Sequence, residues 1–328
     1  PVLAILGATF IIVVVGVVDD LWDLDWMIKL GMQFLAAGIV ALFGVQIFSL
    51  PIGGLTVGSS WASISLALFA IVLVMNAVNF IDGLDGLVAG VCLIANGVFF
   101  VYSYLLVRET GSTTFFNLAS LMAAVLIGVC RGFLPMNWHP AKLFMGDAGA
   151  LMLGLLMATS AIAVTGQLDP AILDPDVFGR SQLLGAFIPI LLPVAVVLLP
   201  LLDFGMAVLR RMAAGKSPFS PDRKHLHHRM LDLGHSSRDA VLIFYAWTAI
   251  VAFAFLLMFM PPPEWLSWVR PTYLLGIIYG VIGIAACLVL TMTPSGKKKP
   301  VDAAAPAVSD ADTQPAPPHR TTPVEEPS

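Results

Sequence analysis

The amino-acid sequence predicts an all-α, polytopic membrane protein built as a helical bundle. Apolar residues make up 58% of the 328 positions and charged residues only 12%, whereas soluble domains carry about 25% charged residues. The apolar residues also form long runs, each close to the roughly 20 residues that a helix needs to cross a bilayer. Barrel strands would alternate apolar and polar residues over about 10 positions. Helices therefore explain the pattern better than strands.

Nine apolar runs are candidates for transmembrane helices. Their approximate bounds are 2–18, 31–50, 61–80, 87–107, 115–134, 148–166, 183–203, 240–260 and 272–292. We expect residues 1–293 to form the membrane domain. Residues 294–328 are rich in Pro, Ala and acidic residues without apolar periodicity, so we expect a disordered tail. The first apolar run follows Pro1 without a basic leader, and we therefore expect the chain to begin partway through a longer protein.

The basic residues predict the orientation of the bundle. If the loop after the first span is cytoplasmic, 14 of the 17 Lys and Arg residues fall on the cytoplasmic side and three on the other. Loops rich in Lys and Arg stay in the cytoplasm, so we expect the C-terminus there too. The catalytic loops assigned to this side are 19–30, 80–86, 135–147 and 204–239.

Charge and cysteine content argue against other classes of protein. The net charge of −4 does not favour a nucleic-acid partner. Cys92, Cys130 and Cys287 all lie within apolar runs, so neither a disulfide framework nor a cysteine zinc site is indicated.

Four clusters of polar residues lie at the cytoplasmic ends of the spans, and the first of them ends the first span. Asp19, Asp20 and Asp23 are spaced to share one face of a continuing helix. Carboxylates this close repel one another unless a cation or protons intervene. A solvated helix end is the alternative interpretation.

The second cluster ends the third span. Asn79, Asp82 and Asp85 recur every three residues, and Gly83 and Gly86 leave room for a ligand. A lipid-facing Asp costs about 2.5–3.5 kcal/mol on insertion scales, so we expect these side chains to face a polar cavity. A helix-breaking turn is the alternative.

The third cluster precedes the sixth span and contains Asn137, Phe144 and Asp147. Asp147 stands between glycines at the start of an uncharged helix, where backbone N–H groups and a cation can share an anion. Taken alone, the Gly-Asp-Ala-Gly segment is also common in ordinary loops.

The fourth cluster begins with a Ser-Pro-Asp signal that predicts a short helix starting near Ser220. The basic and imidazole side chains that it carries are Arg223, His225, His227 and His228. A zinc site and a basic surface for lipid headgroups are alternatives. The flanking positive charge suits phosphate better than a metal.

One hypothesis accounts for all four clusters: carboxylates hold Mg²⁺ or Mn²⁺ at the inner membrane edge, while Arg and His residues hold phosphates. Mg²⁺ typically binds through one or two carboxylates together with substrate phosphates. This favours an enzyme that joins a soluble nucleotide-activated group to a lipid phosphate. An ion-coupled transporter is the rival from another class, but it predicts polar residues in the middle of spans.

The order DDxxD, NxxNFxDGLDGL, FMGDAG and SPFSPDRxHxHH resembles that of the polyprenyl-phosphate N-acetylhexosamine-1-phosphate transferases. The last motif is closer to the WecA-like branch, which makes lipid-linked N-acetylglucosamine diphosphate, than to the MraY branch of peptidoglycan synthesis. The similarity runs from about Val13 to Asp239. Ala150 stands where the family usually has serine, which removes a hydroxyl near Asp147.

The resemblance implies roles for the matching residues. The implied catalytic residues are Asp19, Asp20, Asp82, Asp85, His225, His227 and His228. The implied substrate-binding residues are Lys29, Asn79, Asn137, Phe144 and Arg223. The resemblance implies that Lys29 lies near the acceptor, that Asn137 and Phe144 lie near the uracil, and that Asn79, Asp82 and Asp85 line the sugar-nucleotide site. The implied Mg²⁺ ligands are Asp147, Asp19 and Asp20.

The implied reaction is phosphoryl transfer in a bacterial inner membrane, with membrane lipid around the enzyme. An oxygen of a polyprenyl phosphate such as undecaprenyl phosphate attacks the sugar-linked phosphorus of a UDP-sugar and releases UMP. GlcNAc is the implied sugar, and the product initiates a glycan such as the O-antigen of lipopolysaccharide. GalNAc, a 6-deoxy relative and MurNAc-pentapeptide stay open as alternatives. The acceptor phosphate, whose second pKa is about 6, is already dianionic at pH 7, so a positioning role suits Asp19 or Asp20 better than that of a base. A covalent intermediate on an aspartate also stays open.

Overall fold

The computed structural model of the chain describes residues 1–47, 59–110, 114–165, 209, 211–213, 215, 230, 232–259 and 273–293. Within these ranges the regular elements are all α-helices, which confirms the predicted all-α fold. In chain order the helices are α1 (Val2–Trp22), α2 (Trp26–Leu42), α3 (Ser60–Ile81), α4 (Leu87–Thr110), α5 (Thr114–Asn137), α6 (Gly146–Thr165), α7 (Ser237–Phe259) and α8 (Tyr273–Met292).

Seven of these helices, all except α2, are long and apolar enough to cross a membrane, which confirms the polytopic bundle. The predicted span 31–50 corresponds to α2, which begins earlier, at Trp26, and ends at Leu42. The early start has a local cause. The Asp25 carboxylate accepts a hydrogen bond from the N–H of Met27 at 2.9 Å, which caps the first turn.

Some of the sequence predictions concern residues outside the described ranges. These are the span 183–203, most of the loop 204–239 and the tail 294–328. The division of the chain near residue 293 therefore stays a prediction.

Helix α6 lies at the centre of the described bundle, in contact with α1, α3, α4 and α5. Glycines bring its neighbours unusually close, as small residues do in membrane helix pairs. A Cβ atom at Gly154 of α6 would lie 2.6 Å from the Cα of Met75 in α3. A Cβ atom at Gly16 of α1 would lie 2.2 Å from the Cα of Ala148 in α6. The α1 and α3 backbones therefore rest directly against α6.

The polar ends of the helices meet on one side of the bundle. They are the C-terminal ends of α1, α3 and α5 and the N-terminal ends of α2, α4, α6 and α7. The hydrogen bonds that join them are Lys29–Asp19, Asn79–Asp147, Gly86–Asn137 and Arg238–His139. The first three predicted polar clusters therefore share one end of the bundle.

Candidate active site

Two carboxylates and an ammonium group from three helices form the centre of the site. The Lys29 Nζ, in the first turn of α2, lies 2.9 Å from the Asp19 Oδ2 at the end of α1. It also contacts the Asp147 Oδ2 at the start of α6. The N–H of Leu24 donates to the other Asp19 oxygen at 3.0 Å, which fixes that carboxylate. The lysine charge offsets the repulsion that would otherwise separate the two carboxylates.

Asp20 joins α1 to the N-terminus of α6. Its Oδ1 accepts the N–H of Asp147 at 2.9 Å and its Oδ2 accepts the N–H of Ala148 at 3.4 Å. A carboxylate is favoured here because a helix N-terminus presents unpaired N–H groups and the positive end of its dipole. Gly146 has a φ of +64°, a conformation that favours glycine, and a Cβ there would lie 2.5 Å from the Asp20 Oδ2 and displace that carboxylate.

Asn79 forms a hydrogen bond with the Asp147 carboxylate oxygen that Lys29 does not contact. Its Nδ2 donates to the Asp147 Oδ1 at 2.8 Å. One helical turn deeper, the Asn76 Nδ2 donates to the buried Gln33 Oε1 at 2.5 Å. Gln33 is four residues after Lys29 and Asn76 three before Asn79, so this pair joins α2 and α3 directly behind the site. Sequence reasoning missed Gln33, although a polar residue inside an apolar span is itself a signal.

Asp82 directly follows α3, at the edge of the site. Its side chain still reaches solvent, but partial burial raises the pKa of its carboxyl from 3.8 to about 6. The negative charges of Asp20 and Asp85 add to this rise in pKa. The charge of the Asp82 carboxyl therefore changes closer to neutral pH than that of an ordinary aspartate.

Asp85 is tied to the segment between α5 and α6. Its Oδ2 lies 2.7 Å from the His139 Nδ1 and accepts the N–H of Ala141 at 3.1 Å. The carbonyl of His139 in turn accepts a hydrogen bond from the Arg238 guanidinium of α7 at 2.9 Å. The sequence does not show these contacts, because His139 lies far from both Asp85 and Arg238 along the chain.

Asn137 lies beneath this segment and is only 4% exposed. Its Oδ1 accepts the N–H of Gly86 and its Nδ2 donates to the carbonyl of Leu143, each at 2.9 Å. The side chain thus connects the start of α4 with the loop before α6. Phe144, by contrast, is exposed at the edge of that loop.

The fourth predicted cluster is not part of this description. Arg223, His225, His227 and His228 lie outside the described residues. Their proposed contact with phosphate stays a prediction.

The fold and the site place this chain among membrane-embedded helical proteins that have a polar, carboxylate-rich site at one end of the bundle. Sequence comparison identifies the family. A model described as Glycosyl transferase family 4 matches residues 2–165, which contain α1–α6 and the centre of the site. The chain belongs to this family.

Curated relatives agree with this assignment. The chain is 38% identical over 308 residues to a decaprenyl-phosphate N-acetylglucosaminephosphotransferase of Mycolicibacterium smegmatis, covering 92% of this chain and 72% of the relative. It is 32% identical to a probable undecaprenyl-phosphate N-acetylglucosaminyl 1-phosphate transferase of Bacillus subtilis, covering 74% and 62%. It is 27% identical to the undecaprenyl-phosphate alpha-N-acetylglucosaminyl 1-phosphate transferase of Escherichia coli K12, covering 75% and 63%. The chain thus spans less than two thirds of the last two relatives.

Proposed function

We propose that this protein transfers GlcNAc-1-phosphate from UDP-GlcNAc to a polyprenyl phosphate, with release of UMP. The observation that carries the proposal is the gathering of Asp19, Lys29, Asn79 and Asp147 at one end of the bundle, within the segment that matches the family. The names of the relatives supply the sugar and the lipid. The position of these groups at helix ends, rather than along a path through the membrane, favours the transferase over an ion-coupled transporter.

A polyprenyl phosphate of decaprenyl type is the acceptor that we favour. The relative from M. smegmatis, named for decaprenyl phosphate, shares 38% identity, against 27% for the E. coli relative named for undecaprenyl phosphate. The lipid product would initiate a lipid-linked cell-surface glycan, of which an O-antigen is one example.

Mg²⁺ suits the donor set of the site. In the described ranges no three His, Cys, Asp or Glu residues form a group that can hold a metal by themselves. The carboxylates of Asp147 and Asp19, however, both contact the Lys29 ammonium group, so the two side chains converge on one position that suits a cation. Mg²⁺ needs only one or two carboxylates when phosphates complete its coordination shell. These two residues would hold the ion. When bound, it would neutralise charge on the pyrophosphate and on the leaving UMP.

The protein groups would orient the reacting phosphates. Lys29 keeps the carboxylates of Asp19 and Asp147 close together and places a positive charge where an incoming phosphate can approach. Asp20 is engaged with the N-terminus of α6, so we assign it the alignment of α1 against α6 rather than proton removal.

The experiment that tests the function uses membrane vesicles containing the full-length protein. They receive UDP-GlcNAc, UDP-GalNAc, a UDP-6-deoxy-HexNAc or UDP-MurNAc-pentapeptide, with decaprenyl or undecaprenyl phosphate. We expect UMP and polyprenyl-diphosphate-GlcNAc, identified by mass spectrometry. Because UDP-sugars do not cross membranes, a cytoplasmic site makes product in inside-out vesicles and none in sealed right-side-out ones. Product from another sugar only, or from none of the four, contradicts the proposal.

Asp82 makes the pH dependence of this activity predictable. If its ionised carboxylate is required, kcat/KM should fall as the pH drops through about 6, the raised pKa of this group, rather than near 3.8. The acceptor phosphate has a second pKa of about 6 as well, so the wild type is compared with Asp82→Asn. In Asp82→Asn we expect this fall to become shallower, because only the acceptor phosphate still titrates there. A fall as steep as in the wild type would show that the charge of Asp82 is not required. The measurement is the pH profile of UMP release between about pH 5 and 8.

A further inference from the structure

Tyr245 of α7 reaches into the site from outside the family match. Its hydroxyl donates to the carbonyl of Gly86 at 2.5 Å. Gly86 follows Asp85 and has a φ of +80°, and its carbonyl also accepts the N–H of Gly90 at 3.1 Å. The Gly86 carbonyl, at the start of α4, therefore accepts two hydrogen bonds, one from α4 itself and one from α7.

The ring of Tyr245 fills a space that two glycines leave open. A Cβ atom at Gly90 would lie 1.9 Å from the Tyr245 Cζ, so the ring lies directly over the α4 backbone. A Cβ at Gly86 would lie 3.3 Å from the ring of Trp138, whose centroid is 6.3 Å from that of Tyr245. Packing of the ring thus brings the hydroxyl to the Gly86 carbonyl.

Helix α7 contacts two segments that border the site. Tyr245 bonds the start of α4, and Arg238 bonds the carbonyl of His139 in the segment before α6. These two segments are joined to each other through His139 and Asp85. The turn that carries Asp82 and Asp85 is therefore held from α5 and α7, and the Tyr245 hydroxyl contacts its backbone at Gly86.

We propose that Tyr245 is a positioning residue: its hydroxyl holds the Asp82–Gly86 turn in the orientation that presents Asp82 and Asp85 to the nucleotide-sugar donor. The inference rests on the proposed function, because it assumes that this turn faces the donor. It assigns a role to α7, which lies beyond the segment that the family model matches.

The test compares Tyr245→Phe with Trp247→Phe in the full-length protein in lipid nanodiscs. Tyr245→Phe keeps the ring that packs on Gly90 and removes only the hydroxyl. Trp247 is the matched control because it lies on the same helix and its indole N–H donates at 3.1 Å to Thr291 of α8, away from the site. We expect Tyr245→Phe to lower kcat/KM for UDP-GlcNAc by about tenfold or more, since misplacement of about 1 Å can cost up to about a hundredfold.

The kinetic pattern separates positioning from general loss of structure. In Tyr245→Phe the KM for polyprenyl phosphate and the melting temperature should stay close to wild type, and Trp247→Phe should leave both substrates' kcat/KM unchanged. A rise in the KM for polyprenyl phosphate as large as the loss in kcat/KM for UDP-GlcNAc, or an equal loss of kcat/KM in Trp247→Phe, would show a merely structural contact and overturn the proposal.

Hydrogen–deuterium exchange of residues 83–90 gives a readout that needs no turnover. We expect faster exchange in Tyr245→Phe and no change in Trp247→Phe, because the hydroxyl restrains the first turn of α4. If the wild type makes no product from any UDP-sugar, the proposed function fails while this measurement still tests the restraint. Exchange and kinetics in Tyr245→Phe that both match wild type would overturn the positioning role.

Discussion

Replacing Asp147 by Asn is expected to lower kcat by about a thousandfold, the upper end of the loss caused by removing one group that stabilises transition-state charge. Asp147 contacts the Lys29 ammonium through one oxygen and accepts the Asn79 side chain through the other. An Asn side chain keeps the size but removes the charge. Lys29 would then face only Asp19, and the proposed cation would lose one of its two carboxylates.

The Asp147→Asn variant should remain folded, because its contact with Asp20 is made by the main chain. The N–H of residue 147 donates to the Asp20 carboxylate whichever side chain is present. UMP release is measured at saturating substrates across a Mg²⁺ titration. Glu109→Gln is the control, since it removes a carboxylate charge in the last turn of α4, at the opposite end of that helix from Gly86. Near-normal turnover with an unchanged Mg²⁺ dependence would remove Asp147 from the proposed ligands.

The fold was predictable from the sequence because membrane spans are local features. Each long apolar run satisfies its own backbone hydrogen bonds as a helix, so its length and composition are enough to predict it. The shorter α2 deviates for a local reason as well, the cap supplied by Asp25. That several polar clusters share one end of the bundle also follows from the chain, since consecutive spans alternate in direction.

The contacts between the clusters were less predictable. Lys29 was expected only near the acceptor, yet it contacts both Asp19 and Asp147. Asn137 was implied beside the uracil, and the structure engages its side chain with the main chain at Gly86 and Leu143. These partners lie on different helices, and helix packing decides which of them meet. No periodicity within one helix carries that information.

The close contact between helices at Gly16 was likewise not predictable from the sequence. It leads to the second prediction of a large loss of activity. Gly16 is buried on α1, one turn before Asp19 and Asp20. A Cβ atom there would lie 2.2 Å from the Cα and 2.5 Å from the N of Ala148, the residue after Asp147. Main-chain atoms cannot rotate away as a side chain does. Any side chain at position 16 must therefore push α1 away from the N-terminus of α6.

We expect Gly16→Leu to lower kcat/KM by about a hundredfold or more, since a displacement of about 1 Å already has effects of that order. The shift would withdraw Asp20 from the N–H groups of Asp147 and Ala148 and separate Asp19 from the Lys29 and Asp147 pair. Gly16→Ala should give a smaller loss because its single methyl group needs less displacement. The melting temperature should fall in the same order, because overpacking typically costs about 1–3 kcal/mol.

The same helix offers the control for this substitution. Gly7 is exposed on α1, and a Cβ built there meets nothing within 4 Å, so Gly7→Leu adds the same side chain to open space. UMP release and thermal unfolding are measured for Gly7→Leu, Gly16→Ala and Gly16→Leu in lipid nanodiscs. Gly7→Leu should match wild type. A Gly16→Leu protein as active and as stable as Gly7→Leu would show that α1 does not depend on backbone contact with α6 to align its aspartates.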